Sequence, residues 1–472
     1  MSYLDSDFSS EDNYREKERN IDREIKGCKR VIDEGHIYSA IENIEDTIQL
    51  CIENDRYCDG LEIVSKLLDI SPYNSEYWLK RGMLLIGIGK NSEALVSFDK
   101  ALSLNPGDAE IYIEKANAED NSGDFKSASE SIERAVEIDP QNADGFFNYG
   151  ILLQRHSQFK DAIRNFQKAI ELDPQFEEAY YELAYCYENN NQYNKALKNY
   201  DKFLDFQPYS ASGWYNRGVV LAKLNKLEKA VDSYDLAVAV KPDFGSAWFN
   251  RGNALADLGR LQQALESFKE SFLVDPLDEA SCYNIANIYE EMGDLPKAIK
   301  HYSDAIKIND RYYEAYLARG YCFDSSGKYQ FALKDFNMAI TMSQDNADAW
   351  YAKADLEYSL GQLQEAVNSY KAALKIVPEN LEIWHNMAQT FFEMGDWLSA
   401  LEGYDNCIRI NPLDASSFYE KAKINFILKR TKEAVDCLKT AFLIEPSFKI
   451  EFEKEYPDIK SSKLFKKLLG EL

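Results

Sequence analysis

The chain has 472 residues, of which 45% are hydrophobic and 13% aromatic, enough to build a large core. Its 80 Asp and Glu against 54 Lys and Arg give a formal net charge of −26, a field that repels phosphate backbones and argues against DNA or RNA as the main ligand. The eight cysteines are scattered and form no CxxC pair, a pattern typical of reduced thiols rather than of a zinc site or a disulfide framework.

The N-terminal region is predicted to contain a disordered segment, a capping helix and a degenerate repeat. Residues 1–12 are acidic and rich in hydroxyl side chains, and their composition predicts disorder. They lack the basic and apolar regions of a secretory signal, and the longest apolar run of the chain, around residues 83–88, is much shorter than a membrane span. These features predict a cytoplasmic protein without a membrane partner. Residues 13–74 are predicted to form a charged capping helix followed by the degenerate repeat.

Between residues 75 and 446 the sequence repeats eleven times with a period of 34 residues. Each unit has an anchor residue, usually aromatic, then Gly or Ala four positions later and Ala sixteen positions later. Apolar residues recur at the helical period in two bursts per unit, separated by turn formers such as Gly123-Asp124 and Asn225-Lys226. Each unit is therefore predicted to be two antiparallel helices, in close contact where Gly or Ala faces Ala. The anchors are Trp78, Tyr112, Phe146, Tyr180, Trp214, Trp248, Cys282, Tyr316, Trp350, Trp384 and Phe418.

The pattern W-x3-G, A-x3-Y-x2-A and a closing Pro at this period resembles the tetratricopeptide repeat. The resemblance implies an all-α fold, a right-handed α-solenoid of helix-turn-helix units in a long superhelical array similar to those of bacterial members of the family. Because terminal units have one face without a neighbour, we expect capping helices at both ends, the second within residues 447–472. Leu464, Phe465, Leu468 and Leu469 would lie on one face of a short helix there, either a closing lid or a partner-binding helix.

Two junctions between repeats lack the closing proline. Asp310 and Gln344 stand where Pro is due. One interpretation is that Asn309, Asp310 and Asp345 end or cap the helices well enough without it. The other is a soft joint between two rigid arms. The sequence leaves both open.

No arrangement of residues typical of catalysis is found. His36, His156, His301 and His385 lie in different units, and no HExxH or GxSxG motif occurs. The array occupies nearly the whole chain and leaves no room for a catalytic domain. The sequence therefore predicts a protein that is not an enzyme and has no metal or cofactor.

In the tetratricopeptide repeat family the first helices line a concave groove, and residues two before, and one, two and five after, each anchor face it. An asparagine amide both donates and accepts hydrogen bonds, so it can pair with a peptide backbone of any sequence. The asparagines resemble the ladders of importin-α and of O-linked N-acetylglucosamine transferases, although Glu182, Ala318 and Ala352 interrupt them. The same residues could instead support packing between helices. By this resemblance the candidate peptide-binding residues are Asn148, Tyr215, Asn216, Phe249, Asn250, Asn253, Tyr283, Asn284, Asn287 and Asn386.

The predicted function is a scaffold that holds a protein or peptide segment in this groove. The acidic charge of the chain favours a basic or neutral partner. Two alternatives remain: a structural module that assembles with copies of itself, and the targeting subunit of a separate enzyme. The sequence does not decide the oligomeric state.

Overall fold

The computed structural model describes the backbone of residues 5–456 and the side chains of residues 17–456. Within that range the chain forms 26 α-helices and one 3-10 helix, with no β-strand. It divides into two compact units, the first ending at Pro242 and the second beginning at Asp243. In both units consecutive helices pack as antiparallel pairs, and each pair packs on the next. The predicted all-α solenoid of helix pairs is confirmed.

The first unit begins with α1 (Asp5–Asp33) and a short 3-10 helix (Ile37–Ser39). Residues 5–12, for which the composition predicts disorder, are therefore helical, and residues 1–4 lie outside the described range. The degenerate repeat follows as α2 (Ile41–Glu53) and α3 (Tyr57–Ile70). The complete pairs of this unit are α4 (Ser75–Gly87) with α5 (Asn91–Leu104), α6 (Ala109–Asn121) with α7 (Phe125–Ile138), α8 (Ala143–Arg155) with α9 (Phe159–Leu172), α10 (Glu177–Asn189) with α11 (Tyr193–Phe206), and α12 (Ala211–Lys223) with α13 (Leu227–Val240).

The second unit continues the same pattern and ends with α26 (Ser447–Glu455), whose Phe452 is buried. The amphipathic segment predicted at residues 460–472 lies outside the described residues. The pairs of this unit are α14 (Gly245–Asp257) with α15 (Leu261–Val274), α16 (Glu279–Glu291) with α17 (Leu295–Ile308), α18 (Tyr313–Ser325) with α19 (Tyr329–Met342), α20 (Ala347–Ser359) with α21 (Leu363–Ile376), α22 (Leu381–Glu393) with α23 (Trp397–Ile410), and α24 (Ala415–Ile427) with α25 (Thr431–Ile444).

The small residue four positions after each anchor makes room for an aromatic ring of the second helix. A Cβ placed on Gly218 would lie 2.6 Å from the Tyr234 ring, and Gly82, Gly150, Gly252 and Gly320 meet a phenylalanine ring in the same way. The sequence predicts that Gly218 faces Ala230 across this contact, and the side chain nearest to a Cβ on Gly218 is the ring of Tyr234. Ala230 is itself fully buried. The close helix contact is thus confirmed, and the Tyr234 ring is part of it.

The turn inside each repeat requires a left-handed backbone eleven positions after the anchor. Gly occupies this position in most repeats, for example Gly123 with φ 83° and Gly293 with φ 77°. Asn225 and Lys429 adopt the same conformation with φ 55° and 60°. Glycine and asparagine tolerate this region, whereas lysine does so at a cost. The predicted turns are confirmed.

The two junctions without proline have the same length and the same kinds of hydrogen bond as the others. Trp78 Nε1 donates to the carbonyl of Pro72 at 2.9 Å, and Trp350 Nε1 donates to the carbonyl of Gln344 at 3.3 Å. The Asn346 side chain caps α20, and the Asn309 side chain accepts from the backbone N–H of Arg311 at 3.0 Å. These bonds support the capping interpretation of both junctions.

Candidate peptide-binding face

We define the groove face of a unit as the residues two before, and one, two and five after, each anchor on its first helices. At 100° per residue these positions lie between about 100° and 200° around the helix from the anchor. In the first unit α4, α6, α8 and α10 contact one another in succession, and in the second unit α18 contacts α20. Groove-face residues of neighbouring repeats are therefore close together. All ten candidate residues are half-buried.

The candidate aromatic residues pack against rings of the second helix in their own repeat. The ring of Tyr283 lies 5.5 Å from that of Tyr302, and the ring of Phe249 lies 5.6 Å from that of Phe268. Tyr215 lies 6.1 Å from Tyr234. Such pairs stabilise a fold by about 0.5–1.5 kcal/mol beyond the burial of their surface. These aromatic residues therefore support the helix pair, whatever else they contact.

In the first unit the candidate asparagines use their amide N–H groups within the chain. Asn216 Nδ2 donates to the hydroxyl of Tyr181 at 2.8 Å, which links α12 to the first helix of the preceding repeat. Asn148 Nδ2 donates to the carbonyl of Asp144 on its own helix at 2.8 Å. Each amide also has a carbonyl oxygen, which can accept from a peptide N–H.

Four of the five candidate asparagines of the second unit lie on two successive first helices. Asn250 and Asn253 are on α14, and Asn284 and Asn287 are on α16. Asn284 Nδ2 donates to the carbonyl of Ala280 at 3.0 Å, and Asn287 Oδ1 accepts from the Tyr302 hydroxyl at 2.6 Å.

Asn386 lies apart from these residues, on α22, with two first helices between it and α16. Its Nδ2 donates to the Tyr351 hydroxyl at 3.0 Å, the same bond to the preceding repeat that Asn216 makes to Tyr181. The asparagines of this unit therefore form one group on α14 and α16 and a separate position on α22.

Two half-buried glutamates lie on the groove face of the first unit, Glu182, which interrupts the predicted ladder, and Glu114. Glu114 and Glu182 stand two after their anchors and are half-buried. Burial raises the pKa of both carboxyls above the ordinary range, and their hydrogen bonds come from the amides of Asn117 and Gln154. Gln154 Nε2 donates to Glu182 Oε2 at 2.7 Å. A carboxylate that is buried without a cation favours the arrival of one.

The alternation of these glutamates with asparagines was visible in the sequence. Glu114, Asn148, Glu182 and Asn216 hold the same position on α6, α8, α10 and α12. The residue two after each anchor thus marks both carboxylates in the sequence. Their burial and their amide partners depend on side chains of neighbouring helices, which the spacing does not show.

Basic residues three after the anchors form another set that the sequence analysis did not interpret. Arg217 Nη1 donates to Ser233 Oγ at 2.7 Å, and its Nε donates to Asp201 Oδ1 at 2.7 Å. The guanidinium also lies over the Trp214 ring at 5.6 Å. The arginine thus connects the second helices of two successive repeats, and the anchor ring covers it. This set stabilises the array on the side away from the groove face.

The histidines do not converge on one site. His156 pairs with Asp120 at 2.7 Å, His301 stacks on Tyr289, and His385 contacts Ser416 at 3.3 Å. Burial lowers the pKa of His301. Among residues 17–456 no three His, Cys, Asp or Glu side chains are placed to hold a metal ion. Of the helices in the described part of the chain, none has the length and apolarity needed to cross a membrane.

These helix pairs, with half-buried polar and aromatic residues along one face, define a repeat protein of the α-solenoid class. Five family models described as TPR repeat or tetratricopeptide repeat match residues 85–145, 132–164, 215–271, 280–312 and 354–395. The chain is a tetratricopeptide-repeat protein. A further model, described as regulator of microtubule dynamics protein 1-3, matches residues 154–228. No curated protein sequence matches the chain.

Several solved structures are similar to parts of the chain. YrrB, described as a TPR protein with an unusual peptide-binding site, is 27% identical, with 39% of this chain and 95% of YrrB covered and a TM-score of 0.34. The C-terminal part of a TPR repeat-containing protein from Cytophaga hutchinsonii is 18% identical, with 50% and 97% covered and a TM-score of 0.45. The APC/C hetero-tetramer Cut9-Hcn1 is 15% identical, with 92% and 97% covered and a TM-score of 0.37. All three TM-scores are below 0.5, so these likenesses carry no functional argument.

Proposed function

We propose that the protein is a non-catalytic scaffold that binds an extended, basic or neutral partner segment on the groove face of its units. The observation that carries this proposal is the pair of half-buried carboxylates, Glu114 and Glu182, whose hydrogen bonds come from amides rather than from cations. A folded protein gains nothing from burying such charges unless something compensates them. A lysine or arginine of a partner would do so.

The spacing of these carboxylates specifies a partner sequence. Packed helices lie about 8–10 Å apart, so carboxylates on alternate first helices, α6 and α10, are roughly 16–20 Å apart. An extended peptide advances about 3.3 Å per residue, so this distance corresponds to about five or six residues. We therefore propose a partner segment with two basic side chains at about that spacing. Asn148, on the helix between them, would accept from the peptide backbone.

On the second unit we propose contacts of a different kind. Asn250, Asn253, Asn284 and Asn287 lie on α14 and α16 beside the rings of Phe249 and Tyr283. The amides would pair with a peptide backbone, and the rings would contact its apolar side chains. Asn386 would make a separate contact on α22. This unit is thus proposed to select less by charge than the first.

The cytoplasm is the proposed location. All eight cysteines are free thiols, and six of them are buried. Reduced thiols are typical of cytosolic proteins.

The test begins with affinity capture of the partner from the native cell, followed by calorimetry with its minimal peptide. The double variant Glu114→Gln/Glu182→Gln should weaken binding about tenfold or more, since each charged hydrogen bond contributes about 1.5–3 kcal/mol. The matched control is Glu130→Gln/Glu137→Gln, which removes the same charge from exposed positions on α7. If both double variants lost affinity equally, or if neither lost any, the proposed site would be contradicted.

Sedimentation and the same affinity capture distinguish the two alternative functions from this one. Self-assembly predicts a sedimentation coefficient that rises with protein concentration in the absence of any partner. A targeting subunit predicts that the captured protein is an enzyme, retained after extensive washing. A basic partner held as proposed should also associate more slowly between about 50 mM and 500 mM salt, because salt screens the acidic field.

A further inference from the structure

A pocket of about 440 Å³ opens on α22 of the second unit, on the side away from the groove face. The pocket is lined by three residues of α22. These are the anchor Trp384, and Met387 and Phe391, which stand three and seven positions after the anchor. At 100° per residue these three lie opposite the groove positions of the same helix. Leu374 of α21 and Gly403 of α23 complete the apolar wall. The pocket is therefore separate from the proposed peptide face.

This repeat lacks the polar pair that other repeats have at two of the positions lining the pocket. In the repeats of Arg217 and Arg319 the guanidinium bonds to Ser233 or Asp335 of the second helix. Here the corresponding residues are Met387 and Gly403. A Cβ on Gly403 would lie 2.7 Å from that of Ala388, so the close helix contact requires glycine. Neither residue extends a polar group into the space.

Two lysines stand at the rim of this pocket. Lys371 and Lys375, both exposed on α21, form no ion pair with any described residue, and Lys371 Nζ lies 5.4 Å over the Phe391 ring. On the opposite side the rim is formed by Ser399 and Glu402 of α23. In a chain with a net charge of −26, an apolar pocket with two lysines and one glutamate at its rim is a local reversal of the surface charge.

We infer that this pocket binds a bulky apolar side chain of an acidic partner segment, whose carboxylates pair with Lys371 and Lys375. A volume of about 440 Å³ accommodates one aromatic side chain, and an aromatic anchor in a desolvated pocket is the usual centre of a protein interface. Carboxylates on either side of it complement the two lysines. This second site has the opposite charge preference from the groove face and goes beyond the proposed function.

The test uses the full chain and a labelled pentapeptide of sequence Asp-Glu-Trp-Glu-Asp, blocked at both ends, with fluorescence anisotropy as the readout. We expect saturable binding, at least tenfold weaker with Lys371→Glu/Lys375→Glu, and weaker still with Ser399→Phe, which fills the pocket. The matched control is Lys432→Glu/Lys439→Glu, the same charge change at exposed positions on α25 that form no ion pair with a described residue. It should bind like the unmodified chain.

Three results would overturn the inference. The first is that the pentapeptide does not bind saturably. The second is that a peptide with Ala in place of Trp binds with the same affinity as the original. The third is that Lys371→Glu/Lys375→Glu and Lys432→Glu/Lys439→Glu bind the pentapeptide with the same affinity. Circular dichroism and melting temperature establish that each variant is folded before binding is measured. Glu114→Gln/Glu182→Gln should leave pentapeptide binding unchanged, so failure of the groove proposal and failure of this one are distinguishable.

Discussion

Arg319 and Asp335 form a two-point ion pair between the two helices of one repeat. Arg319 Nε donates to Asp335 Oδ2 at 2.7 Å, and its Nη2 donates to Oδ1 at 2.8 Å. Its Nη1 also donates to Ser303 of the preceding second helix at 2.8 Å. Asp335 is only 2% exposed. One side chain thus holds α17, α18 and α19 together and compensates a buried charge.

This pair gives the first prediction. Arg319→Leu, which introduces the residue that Leu183 provides at the same position, leaves Asp335 buried without a cation and should lower the free energy of unfolding by about 3–5 kcal/mol. Asp335→Ser should cost much less, because Arg217 already bonds to a serine at the corresponding position. Chemical denaturation of both variants is the measurement. Equal losses would mean that Asp335 does not depend on the guanidinium.

The contact between Gly218 and Tyr234 gives the second prediction. A bulky residue at Gly218 must displace the Tyr234 ring, so Gly218→Leu should destabilise the fold by about 1–3 kcal/mol. Ala230→Leu should do the same, because Ala230 is fully buried. Lys226→Leu, at an exposed position in the adjacent turn, is the control and should leave the melting temperature nearly unchanged. A comparable effect from all three would contradict the helix-pair packing.

The third prediction concerns a strained turn. Lys429 has φ 60° and an exposed side chain, whereas glycine occupies this position in most repeats. Lys429→Gly should therefore raise the free energy of unfolding by up to about 1 kcal/mol, since glycine adopts this backbone without steric cost. Lys439→Gly, in the middle of helix α25, should lower it by a similar amount. Denaturation with urea measures both changes, and a loss of stability in Lys429→Gly would refute the strain argument.

The sequence predicts the parts of this fold that depend on spacing. The anchors, the small residues and the turn at Asn225 recur at one period, so their positions follow from periodicity alone. The ring of Tyr234, which lies nearest to Gly218, does not follow from the spacing, because a ring reaches further than its place along the helix suggests. The bonds of the groove face, such as that between Asn216 and Tyr181, join residues of successive repeats and depend on side-chain length and rotamer. The period of the repeat gives no information about side-chain length or rotamer.

The fourth prediction follows from the buried carboxyl of Glu182. Burial raises its pKa in the folded state, so the folded protein holds the proton more tightly than the unfolded chain. The stability of the native protein relative to Glu182→Gln should therefore fall as the pH rises through the ordinary glutamate pKa to the raised one. At pH 7 the glutamine variant should be the more stable of the two. Below about pH 4 the difference should vanish.

Melting curves of the two proteins between about pH 3.5 and pH 8 check this. Glu130→Gln, at an exposed position, should show no such trend. If the variant were less stable than the native protein at neutral pH, Glu182 would be compensated within the chain. The argument for a cationic partner would then lose its basis.

The last prediction separates the two roles open to Asn216. Its Nδ2 donates to the Tyr181 hydroxyl at 2.8 Å, so part of its role is to link two repeats. Tyr181→Phe removes that acceptor and leaves the amide in place, whereas Asn216→Ala removes the amide itself. Each should lower the free energy of unfolding by about 0.5–1.5 kcal/mol, the net contribution of one hydrogen bond. The two variants differ in what remains for a ligand.

If Asn216 holds a peptide backbone, Asn216→Ala should lower the affinity for the captured partner about tenfold, equivalent to about 1.4 kcal/mol. Tyr181→Phe should bind as well as the native protein, because its amide is still present and is no longer used within the chain. Asn386 Nδ2 donates to the Tyr351 hydroxyl at 3.0 Å and also to Asp355 Oδ1 at 3.4 Å. Asn386→Ala and Tyr351→Phe therefore form a second test, in which the amide keeps one partner within the chain. Calorimetry with the minimal peptide measures all four. If each asparagine variant binds like its tyrosine counterpart, the amides serve only to join the repeats, and the partner is held by the carboxylates.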